Sequence, residues 1–382
     1  MKKAAVIGAG TMGHGIAQTL ALAGIDVALV DINAAILDKA MDDIKQNLGR
    51  FAERHKIGEE AARTALLRIK LTTNVENAVK DSDFIIEAVA EDLTLKKRIF
   101  KNLGEVSPKN TILATNTSSL SITEISKVSG RPDKVVGMHF FNPPTIMMLV
   151  EVIKGECTSD ETVNLACDLV KKLDKTPVVV RKDVRAFIVN RILFSMLNEA
   201  CRTVSRDEAT VAEMDAAFKY KEKFPMGAFE LLDYIGLDIV FNVLKVMETT
   251  YGARFKTCSI LEQIVKEKKF GKKTGEGFYD WKDGRPVISS QLAEKFSVLG
   301  VYAVAVNEAA WLIYEGVTET NDIDTAMKLG AAWPLGPCEL ADRLGLDAIL
   351  SQLKELFSKH GEEFHMICPL LEEYVKEGRK FR

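Results

Sequence analysis

Short apolar runs alternate with helical patterns over the first 180 residues, and this alternation limits the fold more than any other feature of the chain. The early runs are continuously apolar, as strands buried on both faces of a parallel sheet should be. Helical stretches such as GHGIAQTLALAG separate them. The order predicts a doubly wound α/β domain. The predicted strands are AAVI (4–7), DVALVD (26–31), DFIIEAV (83–89), TILATN (111–116), KVVGMHFF (134–141), MLVEVI (148–153) and TPVVVR (176–181).

The pattern changes near residue 184, after which the sequence predicts helices almost exclusively. A polar stretch, WKDGRPVISS (281–290), reads as a linker. On its two sides, FPMGAFELLDYIGLD (224–238) returns as WPLGPCELADRLGLD (333–347), at an offset of 109 residues. A period of that size predicts a duplicated helical domain and not a solenoid. We expect three domains, with residues 1–183 forming an α/β domain and residues 184–282 and 289–382 forming two helical copies.

Composition and charge argue against several classes of function. The net charge is −3, with lysine and arginine spread along the chain, which argues against nucleic acid or a membrane surface as partner. No apolar segment approaches ~18 uninterrupted residues, so no membrane span is expected, and the N-terminal apolar run is too short and glycine-rich for a signal peptide. The six cysteines lie far apart without a C-x-x-C pair, which favours buried thiols in the reducing cytoplasm.

The motif GAGTMG (8–13) lies between the first strand and the first helix. Gly8 permits a tight turn, Gly10 lets the backbone approach a pyrophosphate, and Gly13 allows the helix to pack closely on the sheet. The N–H groups and the dipole of the following helix favour phosphate. This context predicts a dinucleotide-binding site.

The residues around the glycines refine that prediction. Thr11 and Met12 complete the loop, whereas His14 follows it and is interpreted as a bystander. Asp31 ends the second strand, 21 residues after Gly10. A carboxylate there can accept from a ribose 2′-hydroxyl and would repel a 2′-phosphate, which favours NAD over NADP.

His139 and Glu151 are candidates for proton transfer. His139 ends the strand VVGMHFF, where it fits either core packing or a role as a base. Glu151 lies inside the apolar strand MLVEVI, where a carboxylate needs a partner. If Glu151 bonded His139, it would fix the tautomer and stabilise the imidazolium, as alcohol oxidation by hydride transfer requires. The polar cluster 116–119 closes another strand, but the spacing alone leaves the contact between the histidine and the glutamate open.

Two further polar pairs have competing interpretations. Asn190 and Arg191, in FIVNRIL, are either a helix-packing amide with a surface cation or a functional pair. His360 and His365, in HGEEFH, have the spacing of neighbours on a helix but no convincing third ligand. No metal site is therefore predicted.

Eight motifs occur in one order along residues 1–282: GAGTMGHGIA, EAVAEDLTLKKRIF, ATNTSSLSITE, GMHFFNPP, LVEVIKG, FIVNRIL, FPMGAFELLDYIGLD and FGKKTGEGFYDW. In this combination the chain resembles the L-3-hydroxyacyl-CoA dehydrogenase family, which includes 3-hydroxybutyryl-CoA dehydrogenases. The resemblance implies that His139 is the general base, that Glu151 orients it, and that Ser118 and Asn190 hydrogen-bond the substrate oxygen.

The resemblance also implies binding residues. The positions similar to the family's cofactor contacts are Glu91, Lys96, Asn116 and Lys273. Arg50 and Arg54 lie where the family binds coenzyme A phosphates, although a solvated helix face is the alternative. The chain departs from the family pattern at Arg185-Ala186, Met148 and Ala228, which removes no catalytic group but leaves substrate preference open.

The implied reaction is reversible, NAD-dependent oxidation of (S)-3-hydroxyacyl-CoA to 3-oxoacyl-CoA, with short acyl chains preferred. One alternative is a dehydrogenase for a substituted acyl-CoA such as 3-hydroxyadipyl-CoA; another is a non-catalytic NAD-binding or structural relative. The extra helical copy is similar to that in large multifunctional fatty-oxidation subunits. It has Leu299 where the first copy has Asn190, so we expect a structural copy that stands in for a dimer partner. Both a monomer and a homodimer remain open.

Overall fold

In the computed structural model, which describes residues 2–361 and 365–382, the apolar runs of the first half come together in one sheet. Its strands are β1 (Lys3–Ile7), β2 (Asp26–Val30), β3 (Ile69–Thr72), β4 (Phe84–Glu87), β5 (Ile112–Thr115), β6 (Val135–Phe140), β7 (Leu149–Ile153) and β8 (Thr176–Val180). They are ordered β3-β2-β1-β4-β5-β6-β7-β8. The six strands from β3 to β6 in that order are parallel, which confirms the predicted Rossmann-like domain.

Two features of the sheet differ from the sequence prediction or go beyond it. Strand β3 was not predicted, because it lies at the sheet edge, is only partly buried and so carries no continuous apolar run. Strand β7 runs antiparallel to β6 and parallel to β8. The connection from β6 to β7 spans only residues 141–148, which is too short for the crossover that a parallel pair needs.

Helices connect the strands of this unit, which extends over Met1–Phe187. The central strands are buried on both faces, as their apolar sequences predict, with Phe84, Ile85 and Ile86 fully enclosed. The helices are α1 (Thr11–Leu22), α2 (Ala34–Glu53), α3 (Glu59–Leu67), α4 (Val75–Val79), α5 (Leu93–Val106), α6 (Ile122–Ser126) and α7 (Asp160–Lys172).

The second unit, Ile188–Arg382, is mostly helical in its described part. Its helices are α8 (Val189–Ser205), α9 (Val211–Ala216), α10 (Ala228–Ile235), α11 (Leu237–Tyr251), α12 (Ser259–Lys266), α13 (Leu299–Tyr314), α14 (Thr320–Gly330), α15 (Pro337–Leu344), α16 (Leu346–His360) and α17 (Pro369–Glu377). Short 3-10 turns occupy Ala253–Phe255, Lys272–Thr274 and Ser290–Leu292, and a π-helical turn Ala217–Lys221. Across the described residues, no helix is both long and apolar enough to cross a bilayer.

The two similar stretches, 224–238 and 333–347, form the same local structure around a buried aspartate. Asp215 accepts two backbone N–H groups at the start of α10, at 2.8 and 2.9 Å. Asp324 accepts the two at the start of α15, at 2.9 and 3.1 Å. A Cβ on Gly227 or Gly336 would lie 2.2 or 2.1 Å from the nearest carboxylate atom of its aspartate. Only glycine therefore fits before each helix, which explains why this pattern occurs twice.

A buried asparagine also recurs in the two halves. Asn198 on α8 accepts the N–H of Cys258 at 3.3 Å and donates to the carbonyl of residue 256 at 2.9 Å. Asn307 on α13 accepts the N–H of Cys368 at 2.8 Å and donates to the carbonyl of residue 366 at 2.9 Å. Each amide thus anchors the segment that leads into α12 or α17, satisfying backbone groups that burial would otherwise leave unpaired.

Asp233 and Asp342 fix two further segments in the same manner. Asp233 accepts the N–H groups of Phe278 and of the next residue, both at 2.9 Å. Asp342 accepts those of Phe381 and of the next residue, at 2.8 and 2.9 Å. The second half of the unit therefore holds a short segment in a position that, in the first half, belongs to GEGFYDW.

Acid is expected to destabilise the helical unit through Glu199. Burial opposes the charge of this carboxylate, but His365 at 3.0 Å and the nearby Arg202 and Arg206 lower its pKa to about 2 from an ordinary 4.5. Because the folded pKa is depressed, the stabilisation is present above about pH 4.5 and is lost as the pH falls towards 2, at a cost of about 3 kcal/mol. Urea midpoints at about pH 6 and about pH 3 would measure this loss.

The matched variant for that measurement is Glu199→Gln, which cannot ionise. We expect its urea midpoint to fall at about pH 6 and to change less with acid than that of the parent protein. Glu355→Gln, on the exposed face of α16, is the control and should retain the parent pH dependence. Equal acid sensitivity in the parent and in Glu199→Gln would show that other carboxylates dominate.

Candidate active site

Strands β6 and β7 place His139 directly opposite Glu151 as a cross-strand pair. The His139 Nδ1 and Glu151 Oε2 atoms are 2.6 Å apart, and both side chains are buried. The rings of Phe141 and Phe187 lie 4.4 and 5.7 Å from the imidazole, centroid to centroid. His139 lies near the carboxyl end of β6, at the sheet edge where α/β proteins bind ligands. An ionised Glu151 can only accept a hydrogen bond, so it places the proton on Nδ1 and leaves Nε2 able to act as a base.

A second polar group lies after β5 and centres on Glu91. Its Oε1 accepts the Thr117 hydroxyl at 2.5 Å and the backbone N–H groups of Ser118 and Ser119 at 2.9 and 3.2 Å. Burial opposes the charge of Glu91, but Lys96 and these donors outweigh it and lower its pKa below the ordinary value. Glu91 therefore remains ionised and holds the Ser118 loop in one conformation.

Lys96 is fully enclosed, and its ammonium lies 2.7 Å from Glu87 Oε1 and 3.5 Å from Glu91 Oε2. Glu87 also accepts the Thr115 hydroxyl at 2.7 Å, so that β4, β5 and α5 are tied together beside the loop. Asn116 accepts the backbone N–H of Phe140 at 2.9 Å, next to His139 on β6. These contacts position the polar groups at one sheet edge, and direct contact of Lys96 or Asn116 with a cofactor stays a prediction.

The glycine motif forms a tight turn from β1 into α1. Gly8 has a φ of +100°, a conformation that side chains rarely adopt. A Cβ on Gly13 would lie 1.7 Å from the Gly8 carbonyl oxygen, whereas one on Gly10 would project into open space. Helix α1 begins at Thr11, and Gly10 provides no side-chain cap for its first N–H groups. The turn therefore leaves room and backbone donors for a pyrophosphate, as the sequence predicts.

An open cavity of about 600 Å³ adjoins this turn. Asp31 lies on its wall and accepts the Ala9 N–H at 2.9 Å and the Asn33 N–H at 3.2 Å. Ile32, almost fully exposed, and Ile36 give the same wall an apolar face. A carboxylate next to apolar side chains suits the ribose and the adenine of a dinucleotide.

Comparisons with known proteins agree with this geometry. Residues 3–184 match the profile of the 3-hydroxyacyl-CoA dehydrogenase NAD-binding domain, and residues 187–281 and 296–382 both match that of the 3-hydroxyacyl-CoA dehydrogenase C-terminal domain. The chain belongs to the 3-hydroxyacyl-CoA dehydrogenase family. Its members are NAD-dependent oxidoreductases, and the glycine turn and its cavity fit that cofactor.

Three relatives illustrate the range of this family. A 3-hydroxybutyryl-CoA dehydrogenase of Clostridioides difficile is 44% identical over 280 residues, covering 73% of this chain and 99% of its own length. The crystal structure of 3-hydroxybutyryl-CoA dehydrogenase from Escherichia coli K12 is 30% identical, with a TM-score of 0.93 over 99% of each chain. The dehydrogenase part of a multifunctional enzyme of C. elegans is 27% identical, with a TM-score of 0.66 over 97% of this chain and 89% of that one.

The remaining family positions lie on helices or short turns. Asn190 is half-buried near the start of α8, and Lys273 lies 2.5 Å from Asp238 Oδ2. Arg50, in the last turn of α2, and Arg54, which follows it, are both exposed. Their roles towards substrate or cofactor stay predictions.

Sequence reasoning missed two residues that shape the site. Glu87 was read as part of a strand, although a carboxylate at the end of the apolar run FIIE signals a buried partner, which is Lys96. Phe187, against His139, carried no signal because the contact depends on the tertiary fold. Within the described residues, no three His, Cys, Asp or Glu side chains are grouped so as to hold a metal, and residues 362–364 of HGEEFH lie outside that part.

Proposed function

We propose that the protein catalyses the reversible, NAD-dependent oxidation of (S)-3-hydroxyacyl-CoA to 3-oxoacyl-CoA, with short-chain substrates such as 3-hydroxybutyryl-CoA preferred. The observation that carries the proposal is the 2.6 Å contact between His139 and Glu151 at the ligand-binding edge of the sheet. Family membership defines the reaction class, and the relatives named for 3-hydroxybutyryl-CoA support the short chain.

In this proposal His139 handles the proton. Its Nε2 takes the proton of the 3-hydroxyl group in oxidation and returns it in reduction, while Glu151 keeps the ring oriented and balances the imidazolium charge. When bound, NAD accepts the hydride from C3 of the substrate at C4 of its nicotinamide ring. Because Glu151 is wholly buried, its interaction with the imidazolium is screened little by solvent.

Ser118 and Asn190 are proposed to hydrogen-bond the substrate oxygen. Ser118 lies on the loop that Glu91 orders, so its hydroxyl is held near the carboxyl end of β5. A donor fixed there stabilises charge on the oxygen during hydride transfer. Asn190 would supply a second such group from the helical region.

The binding residues follow the same reasoning. Glu91, Lys96, Asn116 and Lys273 are proposed as cofactor contacts, with Lys96 acting chiefly by fixing Glu87 and Glu91. Arg50 and Arg54 are proposed to bind coenzyme A phosphates. Their exposed guanidinium groups suit phosphate because each presents several donors in a rigid plane.

A substrate series tests the proposal. NADH absorbance is followed with 3-oxoacyl-CoA substrates of increasing chain length and with 3-oxoadipyl-CoA. We expect acetoacetyl-CoA to give the highest kcat/KM, about tenfold above the dicarboxylyl substrate, a difference in transition-state stabilisation of about 1.4 kcal/mol. A tenfold preference for 3-oxoadipyl-CoA would instead favour a substituted acyl-CoA dehydrogenase, and no turnover with any substrate would favour the non-catalytic alternative.

We infer further that the helical region contains two copies of one domain, with limits near 184–282 and 289–382. The support is the double match to one family profile, the recurring asparagine and aspartate contacts, and the starts of α10 and α15 at residues 228 and 337. The second copy has Leu299 where the first has Asn190, so it is proposed to be structural and to take the place of a dimer partner. We propose that the enzyme acts in the cytoplasm.

A further inference from the structure

The helical unit contains a cavity of about 390 Å³ that none of the residues assigned to catalysis lines. Its wall carries three cations, Arg202, Arg206 and Lys256, against one carboxylate, Glu262. Glu262 lies 3.3 Å from Lys245 and is partly neutralised. The lining therefore has a net positive charge, which favours an anion.

The cations differ in how far they are already used. Arg202 donates to the carbonyl of Lys256 at 2.7 Å, and Arg206 lies 2.8 Å from Glu199 and 3.3 Å from Glu208. Lys256 is exposed, and no carboxylate of the described chain lies within ion-pair distance of its ammonium. Lys256 is thus the cation best able to approach a ligand, with the two arginines providing charge behind it.

Thr257 supplies an observation independent of charge. Its side chain is 94% buried, being 6% exposed, and it lines the cavity. Its hydroxyl has no hydrogen-bond partner among the residues that the structure describes. A buried hydroxyl without a partner is costly, so one is expected inside the cavity. Helix α12 begins at Ser259, and its first N–H groups add donors and a positive dipole end.

Two titratable groups on the wall are consistent with a positive field. Burial raises the pKa of Cys258, but the Cys201 thiol and the charge of Arg202 outweigh it, so the pKa lies below the ordinary value. Burial lowers the pKa of His360, and the charge of Arg206 lowers it further, against the opposite effect of Glu208. In both groups the arginine charge favours the less positive form.

The second half of the helical unit lacks these groups at the corresponding positions. It retains the scaffold, since Asn307 and Cys368 repeat the contact between Asn198 and Cys258. The scaffold therefore does not require the polar lining. The replacements, at offsets of 109 on α13 and 110 on α17, are Trp311 for Arg202, Glu315 for Arg206, Met366 for Lys256, Ile367 for Thr257 and Pro369 for Ser259.

We propose that this cavity, defined by Arg206, Lys256, Thr257 and Ser259, binds the phosphate group of a small molecule. The hydroxyl groups of Thr257 and Ser259 and the first N–H groups of α12 donate to the phosphate oxygens, and Lys256 and Arg206 balance their charge. The site is separate from the coenzyme A and NAD positions assigned above, none of which lines it.

Calorimetric titration tests the site on the full chain saturated with NAD, so that the glycine turn is occupied. Inorganic phosphate and glycerol phosphate are titrated separately at matched ionic strength, and the tighter ligand identifies a free ion or a phosphate ester as the occupant. Thr257→Val and Lys256→Met should each weaken binding at least about tenfold. Thr257→Ser keeps the hydroxyl and should restore binding.

The matched control is Arg50→Met, at the proposed coenzyme A position, which should leave this titration unchanged. Thr257→Val should also keep or raise the unfolding temperature without phosphate, because it removes an unpaired buried hydroxyl. The proposal is overturned if neither ligand binds the NAD-saturated parent protein. It is equally overturned if Thr257→Val and Lys256→Met bind phosphate as the parent does.

Discussion

Replacing His139 with glutamine is expected to remove nearly all turnover while NAD binding is retained. Glutamine keeps a polar side chain of similar reach but cannot accept and return a proton, so kcat should fall by about a thousandfold. The NAD cavity is lined by the glycine turn and by residues of β2, β4 and α5, and His139 is not among them. Turnover is followed by NADH absorbance, and NAD affinity by fluorescence titration.

The matched control is His14→Gln, because His14 is a second histidine of the same domain outside the proposed proton path. Its kcat should stay within about twofold of the parent value, since it has no role in proton transfer. Unchanged turnover in His139→Gln would exclude His139 as the base. Loss of NAD binding together with turnover would show that the substitution disturbs the fold of the site.

Replacing Arg191 with methionine is expected to cause the largest loss of stability. Arg191 is fully enclosed, with Nε 2.5 Å from Glu308 and its two terminal nitrogens 2.6 and 2.9 Å from Glu315. Its guanidinium also stacks on Tyr251 at 4.3 Å. Burial disfavours its charge, but the two glutamates outweigh this and raise the pKa of Arg191 above the ordinary value. Removing it leaves Glu308 buried with only the more distant Arg254, at a cost of about 3 kcal/mol.

Urea unfolding followed by far-UV circular dichroism measures this loss. The second substitution Glu308→Gln, added to Arg191→Met, should recover part of it, because the uncompensated charge is then gone. Arg63→Met breaks an exposed pair with Glu60 and should change stability by less than about 1 kcal/mol. Because Arg191 belongs to α8 and both glutamates to α13, an unchanged midpoint would also weaken the proposal that the second helical copy stabilises the first.

Much of the Rossmann-like domain could be read from the sequence because its strands are buried on both faces. Such strands appear as continuous apolar runs, and seven of them were assigned correctly. Strand β3 was missed because partial burial at the edge leaves no such run. The glycine turn was predictable for a related reason, since Gly8 and Gly13 occupy positions where a side chain is strained or clashes.

The candidate site was predictable in its residue types and not in its contacts. His139 and Glu151 were each unusual in an apolar strand, but their pairing depends on β7 turning back against β6. A short connection forces that reversal, whereas the register that brings the two side chains together is set by packing on both faces of the sheet. The role of Lys96 inside a buried ion pair with Glu87 was likewise hidden, because a lysine on a helix normally signals an exposed face.

The sequence by itself determined the family, the glycine turn and the repeated pattern, because each depends on local rules of backbone conformation and burial. Only the tertiary structure decided which polar groups meet. Arg191 was left between a surface cation and a functional residue, and it is instead enclosed between α8 and α13. Thr257 carried no signal at all until its hydroxyl was placed in a cationic cavity. Such contacts join residues distant in sequence, and their energies depend on burial and separation, which local patterns do not encode.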